Sequence, residues 1–228
     1  MTITKTMSDN EISKELKSIN AIIKSRYSGY MMMFAKELKN KAYKHNDVLG
    51  VKEYVINENK VLVCFQKFVF TNKLSKLEVI TIVVTEDNGA FITYENERGN
   101  IFFNHFTKHS IDRMQERTGL TLKDFFVNEF VIKAGATLNY LEYDEYGYDD
   151  STYIVSIGRC FFIVCKCDNK IEVVTALDKD NLYSNQMRLY IDSKRGADKY
   201  AYKMYEMAAD SLKRTGFKKT SDFIKKCA

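Results

Sequence analysis

The sequence contains no proline, and with it goes one of the commoner markers of linkers and domain boundaries. No apolar run is long enough to span a bilayer, and Met1 to Asn10 is polar, without the hydrophobic segment and small-residue cleavage site of a secretory signal. The expectation is a cytoplasmic protein. Cysteines number five (Cys64, Cys160, Cys165, Cys167 and Cys227), an odd set with no disulfide-framework spacing, which predicts free thiols in a reducing compartment. The phosphate-binding Gly-x4-Gly-Lys loop, the dinucleotide glycine fingerprint, the Gly-x-Ser-x-Gly elbow and the His-Glu-x2-His zinc site are all missing. Nucleotide hydrolysis, dinucleotide redox chemistry and zinc proteolysis therefore have no motif to rest on, and no cofactor is expected.

What is present describes a folded chain. Of 228 residues, 45% are hydrophobic and 29% charged, a balance that can build a sizeable core. The reading is one domain over residues 1–228, divisible into an N-terminal helical and β-meander lobe (1–100) and a nuclease-like core (101–228). Net charge is +5, unevenly placed: residues 181–228 hold 11 Lys/Arg against 5 Asp/Glu, a surplus of +6, and the remainder carries −1. A basic end of this kind attracts phosphates, although a solvated helix face has the same composition.

Ser8 with Glu11 has capping-box spacing, and Ile12, Leu16, Ile19 and Ile23 recur every three or four residues, which predicts an amphipathic helix. Gly29 is expected to bend it before a second helical stretch from Tyr30 to Tyr43. Strand patterns follow at Val61 to Phe70, Leu77 to Thr85 and Ala90 to Tyr94, the last two joined through Asn88-Gly89 with the positive φ angles of a tight hairpin. Thr107 to Thr118 reads as a helix stopped by Gly119, and Thr121 with Asp124 opens another through Phe125, Phe126 and Phe130. A second meander is predicted from Tyr153 to Ser156, Cys160 to Cys165 and Ile171 to Thr175, turning at Asp168-Asn169, before a final helix from Ala197 to Arg214. The class is α+β: antiparallel sheet meanders with N-terminal, central and C-terminal helices.

In the central helix His109, Arg113 and Arg117 stand four residues apart in turn, so they drift only about 40° per step and share a face. Ile111 and Met114 occupy the opposite side, free to dock on a sheet. Arginine forks bind phosphate at two points and a histidine exchanges protons near neutral pH. Metal-free RNA cleavage needs such groups: a base for the 2′-hydroxyl, cations for the phosphorane and an acid for the leaving 5′-oxygen. The plainer alternative is a surface of ion pairs, with Glu116 near Arg113 and Asp112 near Arg117.

The stretch Phe106-Thr-Lys-His-Ser-Ile-Asp-Arg-Met-Gln-Glu-Arg-Thr-Gly119 resembles the start of the small toxin-like domains of the DUF4258 family, which begin with a similar His-x3-Arg-x3-Arg helix. Ile171 to Leu177 resembles their terminal strand, whose threonine lies near the helix in the related barnase, EndoU, colicin and RelE group of ribonuclease folds. The resemblance covers roughly residues 103–177. It implies metal-independent RNA cleavage, with His109 as general base or acid, Arg113 and Arg117 as phosphate and transition-state binders, and Thr175 as a hydroxyl donor. Thr175 also suits a strand as an ordinary β-former. Lys108, Lys218, Lys219, Lys225 and Lys226 are the expected nucleic-acid contacts.

Other signals lead less far. His105-Phe-Thr107 matches one element of the two-histidine phosphoesterases, but no second His-x-Thr or His-x-Ser follows. His105 is expected either to meet His109, if the helix begins early, or to pack as a ring. Cys165 and Cys167 share a strand face away from Cys160, too few thiolates for zinc. Tyr140, Tyr143, Tyr146 and Tyr148 alternate with carboxylates in an acidic loop, and Met31 to Met33 offer adaptable apolar surface, with core packing the expected use. The functional expectation is a metal-independent endoribonuclease-like effector or toxin acting on RNA. The alternative is a non-catalytic nucleic-acid-binding or partner-inhibiting protein of a phage or mobile element.

Overall fold

In a computed structural model the chain is described over residues 1–44, 47–71, 74–95, 101–130, 152–157, 160–167, 170–177, 182–188 and 191. The final helix, the tyrosine-rich loop, the Asp168-Asn169 turn, Cys227 and the four C-terminal lysines lie outside these residues.

Helix α1 spans Asp9–Ser25 and starts as its capping box dictates: the Ser8 backbone N–H and hydroxyl both donate to Glu11, whose own N–H donates back to the Ser8 hydroxyl oxygen. Ile12, Leu16, Ile19 and Ile23 are buried, as their spacing requires. The helix breaks at Arg26 and not at Gly29, which lies inside α2 (Tyr27–Met33) with open space where a Cβ would stand. A second break at Phe34 leads into α3 (Ala35–Lys39), which ends before Tyr43. Phe34 and Tyr30 turn inward onto Phe65, with ring centroids 4.9 and 4.7 Å away, so packing on the sheet sets these breaks.

Eight strands form one sheet: β1 (Val48–Ile56), β2 (Asn59–Thr71), β3 (Leu74–Thr85), β4 (Gly89–Glu95), β5 (Ile101–Phe106), β6 (Thr152–Ile157), β7 (Cys160–Cys167) and β8 (Lys170–Leu177). The spatial order is β1-β2-β3-β4-β5-β8-β7-β6, antiparallel throughout except for β5 beside β8. The expected α+β class is correct. The two expected meanders are halves of one sheet, joined by the parallel β5–β8 pair. The two-residue hairpin turn with both φ angles positive falls at Asn57-Glu58, not at Asn88-Gly89. The β3–β4 loop is longer, with Gly89 alone at positive φ (95°).

Side chains on alternate strand positions build a core on each face. Val61, Val63, Phe65, Phe91 and Phe103 meet α1, α2 and α3, while Leu62, Ile82, Ile92, Phe106, Val164, Ile171, Val173 and Ala176 meet α4 (Lys108–Thr118), α5 (Leu122–Asp124) and the π-helical turn Phe125–Phe130. Met32 and Met33 stay exposed at 76% and 45%, so the methionine run is surface and not core. Among the described residues no helix is long and apolar enough to cross a membrane.

Candidate functional site

Strand β5 ends at Phe106, and Thr107 immediately caps α4: its hydroxyl accepts from the Ser110 N–H. The same hydroxyl lies 3.2 Å from the Val173 carbonyl and 3.0 Å from that of Val174, and the Thr107 N–H donates to Val173. Because β5 pairs β8 only as far as Val173, the edge of β8 beyond that point has no strand beside it. Helix α4 takes the strand's place there. It ends at Gly119, whose φ of 68° suits a residue without a side chain.

Ile111 and Met114 are buried beneath α4 as the spacing predicts. On the outward side His109, Arg113 and Arg117 are exposed, and each meets a different fate. His109 makes no hydrogen bond or ion pair among the described residues. Arg113 Nη1 donates to Glu116 at 2.8 Å, the expected alternative pairing. Arg117 Nη1 donates to the Ala176 carbonyl, so this guanidinium closes the open edge of β8. Asp112 does not reach Arg117; it takes Lys108 one turn earlier.

Thr175 also comes to this edge. A bulge between Ile163 and Val164 of β7 inserts Val174 into the register, and the Thr175 hydroxyl lies 3.5 Å from the Ala176 carbonyl that Arg117 uses. Arg117 and Thr175 therefore converge on one atom. Lys108 is at the helix start, engaged with Asp112, while Lys218, Lys219, Lys225 and Lys226 lie outside the described residues.

His105 does not join His109. The helix begins after it, and its ring projects from β5 to the other sheet face, stacked on Phe91 with centroids 4.5 Å apart and planes 5° from parallel. Its Nε2 is 2.7 Å from the Asn88 carbonyl and its Nδ1 3.4 Å from Glu172 Oε2. Glu172 also receives Lys170, which reaches Asp9 at 3.0 Å. These cations, His105 foremost, hold the Glu172 carboxyl down at about 2. Sequence spacing gives no signal for this network, because His105 and Glu172 are brought opposite one another only by the β5–β8 register. Among the described residues no three His, Cys, Asp or Glu side chains gather as a metal site. The Cys64 thiol, buried in the core, is pushed up to about 12, which makes it unreactive.

Comparison of the chain with family models, curated proteins and solved structures finds no match.

Proposed function

We propose that the outward face of α4 engages RNA phosphodiesters and that the protein is a cytoplasmic, metal-independent endoribonuclease-like effector. The observation that carries this reading is the exposed, unpartnered His109 one turn before Arg113 on a helix that is itself anchored to the sheet edge. In the reaction His109 takes the proton of a ribose 2′-hydroxyl, O2′ attacks phosphorus, and the P–O5′ bond breaks to leave a 2′,3′-cyclic phosphate, while O5′ takes up a proton from water. Arg113 exchanges its solvent-exposed Glu116 partner for the phosphate, a cheap exchange because such pairs are worth under about 1 kcal/mol. Arg117 is assigned a changed part: one nitrogen is committed to Ala176, which orients the rest of its fork beside Thr175.

The test is cleavage of a mixed-sequence RNA in chelator by the native protein and by His109→Ala. Loss of cleavage in a folded variant supports the assignment, and unchanged cleavage removes it. A second, non-catalytic reading is favoured by a different observation: Lys108 and Arg113 already sit in ion pairs, and no second proton-transfer side chain accompanies His109 in a cleft. In that case RNA binding is salt-sensitive, yields no product and weakens when Lys218, Lys219, Lys225 and Lys226 are replaced.

A further inference from the structure

The β3–β4 turn lies against the start of α4 with no room to spare. A Cβ on Gly89 would stand 2.0 Å from the Phe106 carbonyl oxygen and 2.8 Å from the Lys108 nitrogen, so the turn backbone is in direct contact with the first residues of the helix that carries His109. One side chain ties that turn down. His105, only 8% exposed, holds the Asn88 carbonyl through Nε2 and faces the Glu172 carboxylate through Nδ1. Both neighbours are acceptors. A neutral imidazole has one N–H and satisfies one of them; the imidazolium has two and satisfies both.

The groups around the ring favour the charged form. From β8 come Glu172 and, on the same carboxylate oxygen, Lys170; from α1 comes Asp9, paired with that lysine. Phe91 of β4 covers one ring face and carries no charge. On β7 the register places the Cys165 and Cys167 thiols opposite Glu172 and Lys170, and the Cys167 thiol, raised by burial, stays neutral. The β3–β4 turn itself contributes Glu86 and Asp87 in sequence next to Asn88.

We propose that protonated His105 is a positioning residue that clamps the β3–β4 turn onto the first turn of α4, so that proton loss from His105 loosens the helix start and regulates the His109 surface. The functional meaning of this device rests on the reading of α4 as an RNA-engaging surface; the clamp itself does not. The acceptor pair forces a choice on the neutral ring. It keeps either Asn88 or Glu172, and in either case one charge-assisted bond spanning the turn, β5 and β8 is lost.

The experiment is a pH titration of the full chain by nitrogen–proton NMR from about pH 5 to about pH 9, the range in which histidines change charge. It follows the His105 ring and the backbone amides of Asp87 to Gly89 and Lys108 to Ser110. The expected result is that both ring nitrogens carry protons at the acidic end, and that the turn and helix amides titrate with the His105 ring. Amide exchange in the turn should then rise about tenfold as the ring loses its proton, the scale of one hydrogen bond to a charged group. Repeating the titration in His109→Gln separates the two histidines: helix amides that stop titrating there follow His109, and the proposal is overturned. Glu172→Gln should change the pH course of ring and helix amides together, and a change in the ring alone also overturns it. RNA cleavage is read separately, so inactivity of the native protein removes the ribonuclease reading while the coupling is still decided by the amides.

Discussion

Glu172 is a carboxylate whose folded environment contains two cationic partners, and its behaviour with pH follows from that. Its carboxyl is held at about 2, below the ordinary value of 4.5, so the folded state releases this proton more readily than the unfolded chain. The resulting stabilisation is complete above the ordinary value and is lost as pH falls from there towards the folded value. Glu172→Gln should cost about 1–3 kcal/mol at neutral pH, because His105 and Lys170 lose their charged acceptor. The gap to the native protein should narrow steadily on acidification towards about pH 2. Urea midpoints along a pH series measure it; a constant gap would show that the carboxylate charge contributes nothing. Asn104 poses the opposite case. It is buried on the α4 side, between Ile92 and Ile171 on the neighbouring strands, and neither its oxygen nor its nitrogen finds a partner. Asn104→Leu, close in shape and without polar atoms, should raise stability by about 1–2 kcal/mol. A fall in the urea midpoint would mean that the amide has a role the packing does not reveal.

The connection between α4 and β8 is a matter of elements. Thr107 caps the helix and bonds two edge carbonyls of β8, whereas Thr121 caps only the short α5 beside it. Both caps should matter, but unequally: Thr121→Ala is expected to cost about 1 kcal/mol, and Thr107→Ala about 2 kcal/mol because the strand edge is opened too. Equal losses in thermal unfolding would argue that the edge contacts are worth nothing. The cap, the Gly119 stop and the Ile111 and Met114 face of α4 are all legible in sequence, because local signals determine them. What α4 rests on is not. Strand β5, Ile101 to Phe106, places Asn104 and His105 among aromatic residues and shows no clean alternation, since both of its faces are buried. It becomes recognisable only beside β4 and β8. The same reason hides the separate fates of the stripe: four-residue spacing puts His109, Arg113 and Arg117 on one face, but that Arg117 ends on the Ala176 carbonyl depends on where β5 stops pairing. Helix breaks at Arg26 and Phe34 were equally invisible, since Tyr30 and Phe34 bend the chain to reach Phe65.

At the scale of the whole molecule, β5 stands between two antiparallel halves and supplies side chains to both cores. Phe103 packs against Phe91 on the α1 side, and Phe106 meets Phe125, Phe126 and Phe162 on the α4 side. Neither core is complete without this strand, and the β6–β7–β8 half joins β1–β4 only through it. Losing β5 should therefore unfold both halves, which makes a single cooperative transition the expectation. Native-state amide exchange tests this on the protein as it is: the slowest amides of β2, β5 and β8 should share one opening free energy, the global one. Phe106→Ala should lower all three together by about 3–5 kcal/mol, the cost of emptying a buried aromatic site. If β8 opened at lower free energy than β2, or if the substitution loosened β8 while β2 kept its protection, the β5–β8 pair would be a hinge between two separately stable halves. The continuous sheet would then not act as a single cooperative unit.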